Sequence, residues 1–128
     1  CRYCYLAADR SPVAGVPAAS LCMNCHSEIK KDSPEVQKIT RALESGQPIE
    51  WVRVHDLPDF ARFDHSAHVR KGVECQTCHG QVQDMARVAQ AEDLSMGWCV
   101  GCHREYTARP PKGMKNVAAS VECSTCHY

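Results

Sequence analysis

Cys75-Gln76-Thr77-Cys78-His79 carries the pattern C-x-x-C-H, and the same pattern returns at residues 22–26, 99–103 and 123–127. The spacing has a chemical reading. Two thiols three residues apart add across the two vinyl groups of one porphyrin, and the adjacent histidine is then held under the iron as an axial ligand. Cys22, Cys25, Cys75, Cys78, Cys99, Cys102, Cys123 and Cys126 are thus the expected thioether donors. His26, His79, His103 and His127 are the expected proximal ligands. Four copies consume eight of the ten cysteines, which makes coincidence a poor explanation. The other two, Cys1 and Cys4, keep the spacing but are followed by Tyr5 in place of histidine. We expect haem c at the four complete motifs and a fifth haem on Cys1 and Cys4.

Two other readings of the cysteines fare worse. Paired C-x-x-C knuckles also clamp tetrahedral zinc, but five knuckles do not divide into pairs, and zinc leaves the following histidine unexplained four times. Disulfides across C-x-x-C close loops too small to staple a fold.

Composition agrees with a cofactor-filled interior. Eight aromatic residues in 128 and a mean hydropathy of −0.40 are a thin supply for an ordinary core. About one haem for every thirty residues would replace the missing apolar mass, and such a chain should not fold without its cofactors. Formal charge is zero before cofactors are counted. Iron and two propionates make each haem about −1 oxidised and about −2 reduced. Arg53, Arg62, Arg70, Lys71, Arg87, Arg104 and Arg109 can pair with propionates or stay as solvated surface charge. No basic tract suggests nucleic acid.

Seven histidines leave three after the proximal ligands: His55, His65 and His68, all within fourteen residues. A six-coordinate electron-transfer haem needs a second axial ligand, usually His or Met. Asp64 can cap a short helix ended by Gly72, on which His65 and His68 would stand about 60° apart and reach different irons. His55 is the third expected distal ligand. Among the methionines, Met96 in Leu94-Ser95-Met96-Gly97-Trp98-Cys99 is the first choice for a further one.

The long spacer between His26 and Cys75 holds most of the other local signals. Ser33-Pro34-Glu35 reads as a helix start and Gly46 as its stop, with Val36, Ile39 and Leu43 as the apolar stripe. Residues 49–54 have strand-forming side chains. Short helices should begin at or near each haem motif, and Pro110-Pro111 should break the last spacer. The expected architecture is one multihaem cytochrome c domain over 1–128, mostly α with extensive irregular loops, ordered by stacked haems.

Several strings together resemble one family. They are C-R-Y-C at 1–4, C-M-N-C-H at 22–26, G-Q-P-I-E-W-V-R-V-H-D-L-P-D-F at 46–60, F-D-H-S-A-H-V-R-K-G-V-E-C-Q-T-C-H-G at 63–80 and L-S-M-G-W-C-V-G-C-H-R at 94–104. They resemble the pentahaem cytochrome c subunit of bacterial alternative complex III, a quinol:electron-acceptor oxidoreductase. The 63–80 piece alone is shared with many small class III multihaem cytochromes, and that resemblance implies His65 over the haem of Cys75 and Cys78, with His68 reaching across to a second haem. The resemblance implies a carrier, not a substrate-converting enzyme. It would relay electrons from a quinol-oxidising membrane complex toward a small soluble acceptor or terminal oxidase.

The same resemblance implies iron–sulfur and quinol-binding membrane subunits and a monohaem cytochrome c subunit as partners. The location would be the periplasmic face of the cytoplasmic membrane. Haem attachment outside that membrane requires export, and the family pattern places a leader or anchor and an H-x-x-H pair upstream of Cys1. Tyr5 departs from the family's C-R-Y-C-H, so the first haem either lacks that ligand or takes another. A free-standing periplasmic or extracellular carrier is the alternative reading.

Covalent attachment predicts that peroxidase stain stays with the polypeptide on a denaturing gel. Cys75→Ser should leave at most one thioether at that motif and should cost the chain structure along with the haem.

Overall fold

The computed structural model of the chain describes residues 1–114 and 117–127. Among the described residues six short α-helices are joined by irregular loops: α1 Ala19–His26, α2 Pro34–Ser45, α3 His65–Arg70, α4 Cys75–His79, α5 Met96–Ala108 and α6 Cys123–Cys126. A single 3-10 turn, Val82–Asp84, follows α4. No strand forms among the described residues, and most of the chain lies outside helices.

Local chemistry sets the helix ends. Pro34 occupies the first turn of α2, where its missing N–H costs nothing, and Gly46 stops the helix in the left-handed region at φ 69°. Asp64 caps α3, its carboxylate accepting from the N–H groups of Ser66 (2.8 Å) and Ala67 (3.3 Å) and from the Ser66 hydroxyl (2.7 Å). The Ser66 hydroxyl, with those N–H groups, holds the Asp64 carboxyl below its ordinary pKa. Ser95 caps α5 through the N–H of Trp98 (3.1 Å). That helix ends at Ala108, because Pro110 disfavours helical geometry at Arg109, which sits at φ −140°, ψ 75°.

The haem motifs lie on these helices: 22–26 closes α1, 75–79 is α4, 99–103 lies inside α5, and 123–126 is α6. Residues 49–54 correct the strand expectation. They form no ladder, with Trp51 at 56% and Val52 at 86% exposure, and no partner strand lies beside them among the described residues.

Tertiary order comes from a few long-range pins. Helices α1 and α2 pack together, with Thr40 Oγ1 3.8 Å from Met23 Sδ. Residues 9–12 dock on α3: the main-chain N–H of His65 donates to Pro12 O (3.1 Å), and Arg70 Nε donates to Asp9 O (2.7 Å). The C-terminal end folds back on residues 60–62. The Arg62 N–H donates to Cys126 O (2.7 Å), and Ala61 and His127 form an isolated antiparallel bridge.

Val36 is the sole hydrophobic residue in the buried class among the described residues. The chain exposes 9799 Å², whereas an ordinary folded monomer of 14.2 kDa exposes about 6,800 Å². Tyr3, Leu6, Val16, Phe60 and Met96 are all at least 59% exposed. A polypeptide this open does not hold its shape by apolar burial of its own side chains.

Gly80, directly after the second motif, is the tightest point. It has φ 67°, and an added Cβ would lie 2.7 Å from Ala91 Cβ and 3.2 Å from Met85 Cε. Gly80→Ala should destabilise the folded protein by about 1–3 kcal/mol, whereas Gly46→Ala, which meets nothing within 4 Å, should cost about 1 kcal/mol. Thermal unfolding of the two variants checks this order.

Candidate functional site

The seven histidine rings define the site. Five of them have Nδ1 within hydrogen-bond distance of a main-chain carbonyl: His26 with Ile29 O (3.0 Å), His65 with Pro12 O (2.9 Å), His68 with Asp64 O (2.7 Å), His103 with Ser120 O (2.6 Å) and His127 with Phe60 O (3.2 Å). A carbonyl can only accept, so Nδ1 carries the proton in each ring. The Nε2 lone pair of the neutral ring is then left for a metal. Bonds of this kind set the tautomer and orientation of metal-binding histidines.

Two pairs of rings face one another. His65 and His79 have centroids 6.3 Å apart and planes within 6° of parallel. His68 and His103 have centroids 6.0 Å apart and planes 38° apart. Imidazoles bound through nitrogen on opposite sides of one metal, at about 2.0 Å each, have centroids roughly 6 Å apart. The donor set and its spacing therefore fit axial ligation of two separate irons. His65 and His68 both stand on α3, and the helix reaches His79 on α4 with one residue and His103 on α5 with the other.

Phe63 lies beside both α3 histidines. Its ring packs edge-on to His65 (4.8 Å, 88°) and nearly parallel to His68 (4.5 Å, 26°). Sequence reasoning assigned Phe63 no role, although it begins the F-D-H-S-A-H string. Phe60 lies likewise beside His127, with ring centroids 5.9 Å apart.

The last three motifs converge. Burial pushes the Cys78 thiol up to about 11, and the neighbouring thiols Cys102, Cys99 and Cys75, with Glu92, add to the rise. Burial also raises Cys99, helped by Cys126 and Cys102. It raises Cys102, with a contribution from Glu105. Cys78 on α4 is thus within electrostatic reach of Cys99 and Cys102 on α5, and Cys99 of Cys126 on α6. Burial, with His55 and His65 beside it, lowers His79 below its ordinary pKa and keeps its ring neutral, the metal-binding form. Among the described residues, no three His, Cys, Asp or Glu side chains converge to hold a bare ion, unlike a zinc knuckle.

The remaining expected residues are more scattered. His55 sits against His79 with centroids 4.4 Å apart at 81°, too close for an iron between those two rings. Its Nε2 lies 3.2 Å from His79 Nδ1. Met96 stands at the first turn of α5, 70% exposed, and is not a packing residue within this chain. No ring contact joins another histidine to His26 or His127 among the described residues. Cys1 and Cys4 lie in a one-turn coil in which the N–H groups of Cys4 and Tyr5 both donate to Cys1 O (3.1 Å each). Residue 127 in the last motif makes the same bond to Cys123 O (2.9 Å), so Tyr5 occupies the histidine's place in backbone terms.

Of the candidate propionate partners, Arg53 is paired with Asp56 (2.8 Å) and Arg109 with Glu105 (3.6 Å). Arg70 and Lys71 line an open groove of about 500 Å³ with Thr77, Tyr106 and Lys112. Its cationic wall lies beside α4, where an acidic cofactor edge would be matched.

Comparison with known proteins agrees with this geometry. The chain is 24% identical over 148 residues to a protein of Nitratidesulfovibrio vulgaris named menaquinone reductase, multiheme cytochrome c subunit, covering 99% of this chain and 68% of that one. It is 26% identical over 181 residues to the high-molecular-weight cytochrome c of the same organism, covering 99% of this chain and 33% of that protein. A family model described as cytochrome c7 and related cytochrome c matches residues 61–128, just over half of the chain. Those residues hold α3 to α6, both facing histidine pairs and the fold-back of residues 126–127 onto 60–62. The chain belongs to the cytochrome c7 and related cytochrome c family, whose members carry covalently bound haem c and transfer electrons.

Proposed function

We propose that this chain is the multihaem electron-relay subunit of a quinol-linked membrane complex. The observation that carries the relay role is the two pairs of facing imidazoles, with centroids 6.3 and 6.0 Å apart, in each of which one ring comes from helix α3 and the other from a haem-attachment motif. Bound haem iron supplies reversible one-electron exchange. Everything else is done by the chain.

Cys75, Cys78, Cys99 and Cys102 would hold two of the groups, with His79 and His65 binding the iron of one and His103 and His68 that of the other. His26 and His127 are the proximal ligands at Cys22/Cys25 and Cys123/Cys126. Met96 is retained as a further distal ligand, and Cys1 with Cys4 as the attachment of a fifth haem. Because His65 and His68 are three residues apart on α3, two irons are held as neighbours by a rigid element, which suits rapid relay. With both histidine pairs engaged on iron no position would be left for a substrate, so these centres would carry electrons rather than transform molecules. The docking of residues 9–12 on α3 supports treating 1–128 as one unit.

The wider assignment rests on resemblance. Family strings around His55 point to an alternative complex III-type assembly, and one relative is named as a menaquinone reductase subunit. Iron–sulfur and quinol-binding membrane subunits and a monohaem cytochrome c are the proposed partners. A small soluble acceptor would receive the electrons at the periplasmic face. No helix among the described residues is long and apolar enough to cross a membrane, so attachment would come through partners or through sequence outside this chain. A free-standing carrier is the second reading, favoured by the family match falling on 61–128, a stretch with three motifs of its own.

Purification of the tagged full-length protein from native membranes tests the complex. Co-isolation of quinol-binding subunits is expected, and recovery as a lone soluble cytochrome would favour the second reading. A pyridine haemochrome titration against protein mass should return five haems, or four if Cys1/Cys4 is empty.

Removing the helix α3 ligands tests the site. His65→Ala and His68→Ala should each convert one low-spin centre to high spin, and the double variant two, read by electron paramagnetic resonance. Loss of the same centre in both single variants would contradict the pairing. Met96→His should lower one step of a redox titration, since imidazole stabilises ferric iron more than a thioether does.

A further inference from the structure

Five histidine rings are steered through Nδ1 by a main-chain carbonyl, and His79 is not among them. Its Nδ1 meets the Nε2 of another histidine, His55, at 3.2 Å, from a loop 24 residues earlier in the chain. The two rings stand edge to face, 4.4 Å between centroids and 81° between planes. His79 is at the same time the ring that faces His65 across an iron-sized gap.

We propose that His55 is a positioning residue for the iron ligand His79: it accepts a hydrogen bond from His79 Nδ1–H through its own Nε2. The proposal rests on the reading of His79 as a haem ligand. It replaces the distal-ligand role expected for His55, because one lone pair on Nε2 cannot accept this bond and bind an iron together. His55 is then fixed as the Nδ1–H tautomer. His79 gains what the other proximal rings obtain from carbonyls, a fixed tautomer and a fixed ring orientation.

The acceptor also differs in strength. A neutral imidazole nitrogen is a better base than an amide carbonyl oxygen, so it draws the Nδ1 proton of His79 further and makes its Nε2 a stronger donor. Stronger donation favours ferric iron. Of the two centres anchored on α3, the one on His79 should therefore sit lower in potential for this reason than it would with a carbonyl acceptor. The chain has no other proximal ring paired in this way among the described residues.

Two variants of the full-length holoprotein test this. His55→Leu removes the acceptor, and His55→Gln returns an oxygen acceptor of similar reach. Haem content per polypeptide, spin state and a potentiometric titration are read for each. His55→Leu should keep the wild-type number of haems, all spin states unchanged, and shift one redox step upward. His55→Gln should bring that step back toward the wild type.

A new high-spin centre in His55→Leu would make His55 an axial ligand and overturn the proposal, as would a titration with no step moved. If His55→Leu fails to mature but His55→Gln matures with near wild-type steps, the acceptor requirement is supported. Failure of both would assign His55 to folding and overturn it. Absence of haem from the 75–79 motif in the wild-type protein would instead sink the reading of His79 on which this one rests.

Discussion

The hydrogen bond from a histidine Nδ1–H to a main-chain carbonyl, made at five rings, is the interaction on which the rest of the structure hangs. Each bond sets a ring's tautomer so that Nε2 keeps a free lone pair, and three of the five also tie together segments distant in sequence. Pro12 is joined to His65, Phe60 to His127 and Ser120 to His103 by these bonds. Ligand orientation and tertiary connection are thus one device.

A chain organised this way does not need a conventional core. Val36 is its buried hydrophobic residue, and its surface exceeds that of an ordinary monomer of equal mass by close to half. The stabilising apolar contacts must come from cofactor faces, with folding coupled to loading as it is in small metal domains. Few positions are then sensitive for ordinary packing reasons. Gly80 is one, because it turns the chain tightly after the His79 ring and brings Ala91 and Met85 against the backbone.

Helix α3 shows how geometry becomes function. Asp64 caps six residues in one helical turn and a half, from which two rings project to two motifs. In the proposed relay, the spacing between two redox centres would be set by the rise of one helix. The His55–His79 contact adds a chemical difference between those two centres, so that neighbouring groups in a relay need not be equivalent.

Much of the site was legible in the sequence, because covalent haem attachment demands a fixed local spacing: the C-x-x-C-H motifs, the count of spare histidines, the Asp64 cap and the Pro34–Gly46 helix limits all follow from local chemistry. So did the division of His65 and His68 between two destinations, since a three-residue step on a helix turns the rings apart. Partner choice is different. Which motif His68 faces, the pairing of His55 with His79 and the missing strand at 49–54 depend on chain segments that meet only after folding. Spacing along the chain carries no information about such contacts between distant residues. Those were decided by the tertiary structure, through the carbonyl and imidazole bonds that bring such segments together.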